Sequence, residues 1–167
     1  MLELALVLTL IGLLAGLILP RLGVLQSVGL DAAARKLSSR ILLIREESAL
    51  RGSWMRLVLD PEHASYEVEV MQPTADGPTF VPGPDPLHAA VRLPSGIGLA
   101  AFGPDLEKLH DGRLGTLFAP DGFASPSAIE LRSEDGRAIT VVVEPASTRP
   151  TVIDGPAAAL LAQLGVG

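Results

Sequence analysis

The chain contains no cysteine in 167 residues. That excludes disulfides, zinc–thiolate sites and thiol nucleophiles, and leaves an oxidising compartment open. Metal-ligand spacing is missing too. His63, His88 and His110 have no partner three or four residues away, so all three read as surface histidines. Five Asp-Gly pairs begin at Asp76, Asp111, Asp121, Asp135 and Asp154, which is turn chemistry, since no EF-hand ligand pattern accompanies them. There is no nucleophile elbow, P-loop or dinucleotide fingerprint, so the sequence names no catalytic residue, metal or cofactor. Positive charge is scarce: 13 Lys and Arg stand against 19 Asp and Glu, a net charge of −6. Such a balance disfavours non-specific attraction to nucleic acid. Arg132, Arg137 and Arg149 are neighbours in sequence, but Glu130, Glu134, Asp135 and Glu144 are interspersed with them.

Apolar residues are abundant, at 48% with a mean hydropathy of +0.40, and the excess is concentrated at the start. From Leu4 to Leu19 the one polar residue is Thr9. Glu3 precedes the run and Pro20 closes it. As a helix this stretch covers roughly 24 Å, and Leu22, Val24 and Leu25 extend its apolar character far enough for a membrane span. Gly12 and Gly16 create a small-residue face suited to close helix contact. A cleaved secretory signal calls for a basic start and a small-residue cleavage site, and neither is present. A plain anchor leaves Glu3 without a reason, because a carboxylate at an apolar segment is costly unless it meets a cation. An assembly helix supplies that cation from a neighbouring subunit. Arg21, Arg35 and Lys36 follow the run, which by the positive-inside tendency would place its C-terminal side in the cytoplasm.

Helical periodicity continues past Pro20. Leu30, Ala34, Leu37, Ile41 and Ile44 recur every three or four residues as one apolar stripe, with Asp31, Arg35, Lys36, Arg40, Arg45, Glu46 and Glu47 largely off it. Gly52 is the expected stop. The pattern predicts one helix over about 3–51, with Pro20, Gly23 and Gly29 as places where it could bend. The second half needs another layer to cover its stripe.

Strands are predicted after the helix. Trp54–Asp60 and Ser65–Met71 flank a turn at Asp60-Pro61-Glu62-His63, and Tyr66, Val68 and Val70 alternate with Glu67 and Glu69. Residues 72–88 hold five prolines and read as a long loop. Ala89–Leu93 and Ile97–Ala101 flank a turn, and Leu114–Ala119 leads into another. Ala128–Arg132 and Arg137–Glu144 pair across Asp135-Gly136, burying Ile129, Leu131, Ile139, Val141 and Val143. Trp54 is expected to pack within a strand or against the helix. The stretch from Pro145 onward is weakly patterned, with a short helix expected over 157–164. Strands in succession after one helix indicate an α+β fold.

The segment from Leu2 to Pro20 resembles the N-terminus of type IV pilins and type II secretion pseudopilins, in the relative spacing of Glu3, Gly12 and Pro20. Leu30–Gly52, ending Arg45-Glu46-Glu47-Ser48-Ala49-Leu50-Arg51-Gly52, is similar to the helix end of the GspH-type minor pseudopilins, which are grouped with FimT and FimU minor pilins. Leu93-Pro94-Ser95-Gly96-Ile97 and Phe118-Ala119-Pro120-Asp121-Gly122 fit the same group. The resemblance implies a type IV pilin-like α+β fold in which a long N-terminal helix packs on an antiparallel sheet. It divides the chain into a membrane and assembly half (1–25), an amphipathic half (26–52), a periplasmic β domain (53–150) and a C-terminal tail (151–167). Relative to the family the sequence starts two residues into the mature chain. A basic leader ending in glycine, and two further mature residues, are therefore expected upstream of Met1.

The implied function is structural: a minor pseudopilin near the tip of a periplasmic pseudopilus, held first in inner-membrane lipid and supporting protein export. Its partners would be major and minor pseudopilins. Glu3 would pair with a neighbour's N-terminal amine, and Gly12, Gly16 and Pro20 would serve helix packing and bending. The loops 72–88 and 102–113 are the expected contact surfaces. Two alternatives share much of this reading: a FimT/FimU-like minor pilin for pilus assembly or DNA uptake, and a single-span membrane-anchored binding domain. A basic patch would mark DNA uptake, and nucleic acid is not an expected partner.

Overall fold

The computed structural model describes residues 2–158, with side chains described at Val7, Thr9, Ile11 and from Val28 onward. One helix, α1, spans Leu2–Arg51. Its end is built by the glycine that the sequence marked. Gly52 takes a left-handed conformation (φ 59°), and the Ser53 N–H donates to the Ser48 carbonyl at 3.1 Å, a Schellman closure that satisfies an otherwise orphaned carbonyl. The hydroxyl of Ser48, fully buried, donates within α1 to the Arg45 carbonyl and lies 3.2 Å from the Ala119 carbonyl, pinning the helix end to the β domain.

Among the described residues ten strands follow, all paired antiparallel. They are β1 (Met55–Asp60), β2 (Ser65–Thr74), β3 (Gly77–Pro82), β4 (Val91–Arg92), β5 (Ile97–Phe102), β6 (Glu107–Lys108), β7 (Leu114–Phe118), β8 (Ser127–Ser133), β9 (Ala138–Val143) and β10 (Thr151–Asp154). One sheet has the order β3-β2-β1-β7-β6, with β4 also on β2, and the other has the order β10-β9-β8-β5. The sheets are linked where the Thr116 hydroxyl of β7 meets that of Ser127 in β8 at 3.2 Å.

The stripe read from the sequence is the helix's contribution to the core. Leu30, Ala34, Leu37, Ile41 and Ile44 are all buried, together with Met55, Leu57 and Leu59 of β1 and Tyr66, Val68 and Val70 of β2. The β8–β9 hairpin pairs Ile129 with Val141 and Leu131 with Ile139, and all four are buried with Val143. The layer needed to cover the second half of α1 is thus supplied by both sheets.

Four expectations change. The loop expected over 72–88 begins as a hairpin: β2 runs on to Thr74 and β3 returns along it, with Pro73 opposite Pro78. Prolines are tolerated there because β3 is an edge strand, whose outward N–H groups have no ladder partner to lose. β10 forms in the stretch expected to be weakly patterned, adding an edge to β9. His88 is buried rather than on the surface, at 2% exposed. Its carbonyl accepts from Val68 N–H between the parts of β2 paired by β3 and β4, and this draws the residue inward against Gly83, where a Cβ would fall 2.2 Å from Nδ1. Trp54 is 41% exposed; its carbonyl accepts from Met71 N–H, while its ring is left largely outside the core. The short helix expected over 157–164 starts at Ala157 and otherwise lies outside the described residues.

Candidate functional site: the outer face of the helix and an adjoining groove

Covering one side of α1 leaves the other free. Val28, Ala32, Arg35, Ser39, Leu43, Glu46 and Leu50 are exposed at successive steps of three or four residues. Three of them are large and apolar: Val28 at 61% exposed, Leu43 at 49% and Leu50 at 86%. A continuous outer stripe with apolar members at both ends is a surface suited to helix packing. Glu3, Gly12, Gly16 and Pro20 all belong to α1, but their side chains lie outside the described residues. Among the residues with described side chains no helix is long and apolar enough to cross a membrane, and most side chains of the run Leu4–Leu19 lie outside them.

The segment between β3 and β4 is strapped to the helix. Arg40 donates to the carbonyls of Pro86 and Ala89, and Arg51 pairs with Asp85 at 2.6 Å as well as with Glu47 one turn back. The 102–113 segment is held comparably: Glu107 of β6 bonds Arg56 at 2.9 Å, and Arg113 pairs with Glu67 at 2.8 Å. Both expected contact loops are therefore docked against their own domain, and sequence spacing gave no sign of these links.

Arg56 and Arg45 divide sharply. Arg56 lies on the first sheet between Glu69 and Glu107, with its guanidinium 4.2 Å from the centre of the Phe80 ring. Burial works against its charge, yet the hydrogen bonds it donates to the two carboxylates raise its pKa. Arg45, expected off the buried stripe, is only 8% exposed, and its one hydrogen bond runs to the Glu144 carbonyl at 2.7 Å. With no carboxylate beside it, burial lowers its pKa. Arg45 forms part of a groove of about 540 Å³ between α1 and the loops after β7 and β9, together with Leu42, Ala49, Phe123 and Arg149. Phe123 is 54% exposed.

The three arginines weighed for DNA contact do not act as a group. Arg132 is bound to Glu130, and Arg137 to Asp31 and Asp154, leaving Arg149 in the groove. Among the described residues no cluster of three or more His, Asp or Glu is arranged to hold a metal ion.

From Val28 to Arg51 one side of the helix is roofed by antiparallel sheets and the other is open, an arrangement that fits a pilin-like fold. Solved structures of a minor pseudopilin share this fold. The minor pseudopilin EpsH from the type 2 secretion system of Vibrio cholerae matches with a TM-score of 0.56 at 17% identity, covering 77% of this chain and 97% of that one. A second EpsH crystal structure gives 0.52 at 17% identity, covering 71% and 96%. The type IV minor pilin FimU of Pseudomonas aeruginosa is also found, with a TM-score of 0.45 at 10% identity, covering 77% and 90%. No family model matches the chain, and no curated protein matches its sequence.

Proposed function

We propose that this chain is a minor pseudopilin that enters a filament through α1 and supports export by a type II secretion system. The observation that carries the reading is the division of labour along α1. One side of its second half is fully committed to the β domain, and the opposite side is an open stripe continuing toward an almost wholly apolar first half. The GspH-like fold supports it. In this reading residues 1–25 lie first in inner-membrane lipid with the β domain in the periplasm, and neighbouring subunits then bundle their helices. Glu3 is neutralised by an amine on an adjacent subunit, since an unpaired carboxylate among apolar helices is strongly disfavoured. Gly12 and Gly16 allow close approach, and Pro20 provides a place to bend.

The test is Glu3→Ala in the full chain, co-expressed with its companion pilin-like subunits. The variant should insert into the membrane at the wild-type level and be depleted at least about tenfold from purified filaments, as expected when one partner of a buried ion pair is removed. Equal recovery of variant and wild type in filaments would refute the proposal.

A further inference from the structure

The groove beside the second half of α1 holds a charge that its own domain leaves unmatched. Arg45 is more than nine-tenths buried, yet among the described residues no carboxylate lies within ion-pair distance of it, nor of Arg149. A guanidinium carries five donors, and Arg45 uses one on the Glu144 carbonyl. The two acids in the groove do not serve it. Asp121 accepts from the Phe123 N–H at 3.0 Å, and Glu46 is exposed on the outer stripe of α1. None of the Arg45 nitrogens is among the buried unpartnered atoms, so its remaining donors open onto the groove, where an anion would hold them as Glu69 and Glu107 hold Arg56. Around Arg45 the groove offers apolar surface from Leu42, Ala49 and the half-exposed Phe123.

We infer that this groove receives an acidic side chain of an adjacent filament subunit, its carboxylate reaching Arg45 and Arg149 and its neighbouring apolar residues packing on Phe123 and Leu42. The occupant is a polypeptide, because a free anion would leave the aromatic and aliphatic surface uncovered. Charge complementarity chooses the acid: Glu46 and Asp121 also line the groove, but among the described residues neither is within ion-pair distance of Arg45 or Arg149. The inference rests on the filament reading and names the partner's chemistry at one point of contact.

Zero-length carbodiimide coupling tests it, because that reagent joins an amine only to a carboxylate in direct contact. Full-length Arg45→Lys and Arg149→Lys chains, co-expressed with their companion pilin-like subunits, would be coupled in isolated filaments and the cross-linked peptides sequenced by mass spectrometry. The expected product is an amide between the introduced amine and an Asp or Glu of a companion subunit, reduced about tenfold or more by Phe123→Asp, which adds a like charge to the incoming acid. Amides only to Glu46 or Asp121 of the same chain, or none from either position, would overturn the inference. Circular dichroism of each variant confirms the fold, and Arg149→Lys is at an exposed site where refolding is not at stake. A photo-crosslinker at Leu10 separates the two failures. Companion-subunit products there, with none from the groove, sink the groove alone. No product at either place sinks the filament reading and the groove inference with it.

Discussion

The two halves of α1 solve opposite problems. From Leu30 to Ile44 the buried apolar residues form one stripe, because the helix has a fixed partner and need satisfy it along one side, while Ala32 and Leu43 stand on the outer side. From Leu4 to Leu19 the sequence is apolar but for Thr9, as the proposed passage from lipid to a bundle of helices requires. One half is specified by its own domain, the other by whatever encloses it. The same contrast recurs in miniature between Arg56, matched within the domain by two carboxylates, and Arg45, matched by none.

If the second half is committed to the domain, damage to its inner side should be severe. Ile41→Ala removes a fully buried side chain from the contact between α1 and the sheets, and should cost about 2–5 kcal/mol in chemical denaturation. A cost below about 1 kcal/mol would mean that the helix is not seated as described. The helix end gives a smaller effect. Gly52→Ala places a Cβ in open space but in a left-handed conformation, so the loss should be about 1–2 kcal/mol and purely conformational. Substituting Asn, which tolerates that conformation better, should lose less. Smallest of all is Leu43→Ser on the outer stripe, expected to change stability by no more than about 0.5 kcal/mol because the side chain is half exposed.

The sequence made the parts of the fold with strong local periodicity readable. The inner stripe of α1, its stop at Gly52 and the hairpin across Asp135-Gly136 all follow from spacings of three or four, a left-handed glycine and alternation. β3 and β10 were obscured because both are edge strands near prolines. An edge position removes the penalty that normally makes proline an argument against a strand. The burial of His88 depends on a backbone bond to Val68, twenty residues away in sequence, and the straps from Arg40 and Arg51 reach across similar or greater gaps. No local pattern encodes such links. The groove was hidden for a related reason: Arg45 and Arg149 are 104 positions apart in the chain, and their common feature is the lack of a carboxylate partner among the described residues. Glu3, Gly12, Gly16 and Pro20 are legible in the sequence alone, since their side chains lie outside the described residues.

The missing cysteines make one measurement especially direct. A single Leu43→Cys substitution in the full chain provides the only thiol, on the outer stripe of α1 and away from the core. Its rate of maleimide labelling should be high in detergent-extracted monomer and at least about tenfold lower in filaments assembled with companion subunits, because helix packing would bury the site. Equal labelling in the two states would contradict the claim that this side of α1 is the surface through which the chain is built into a filament.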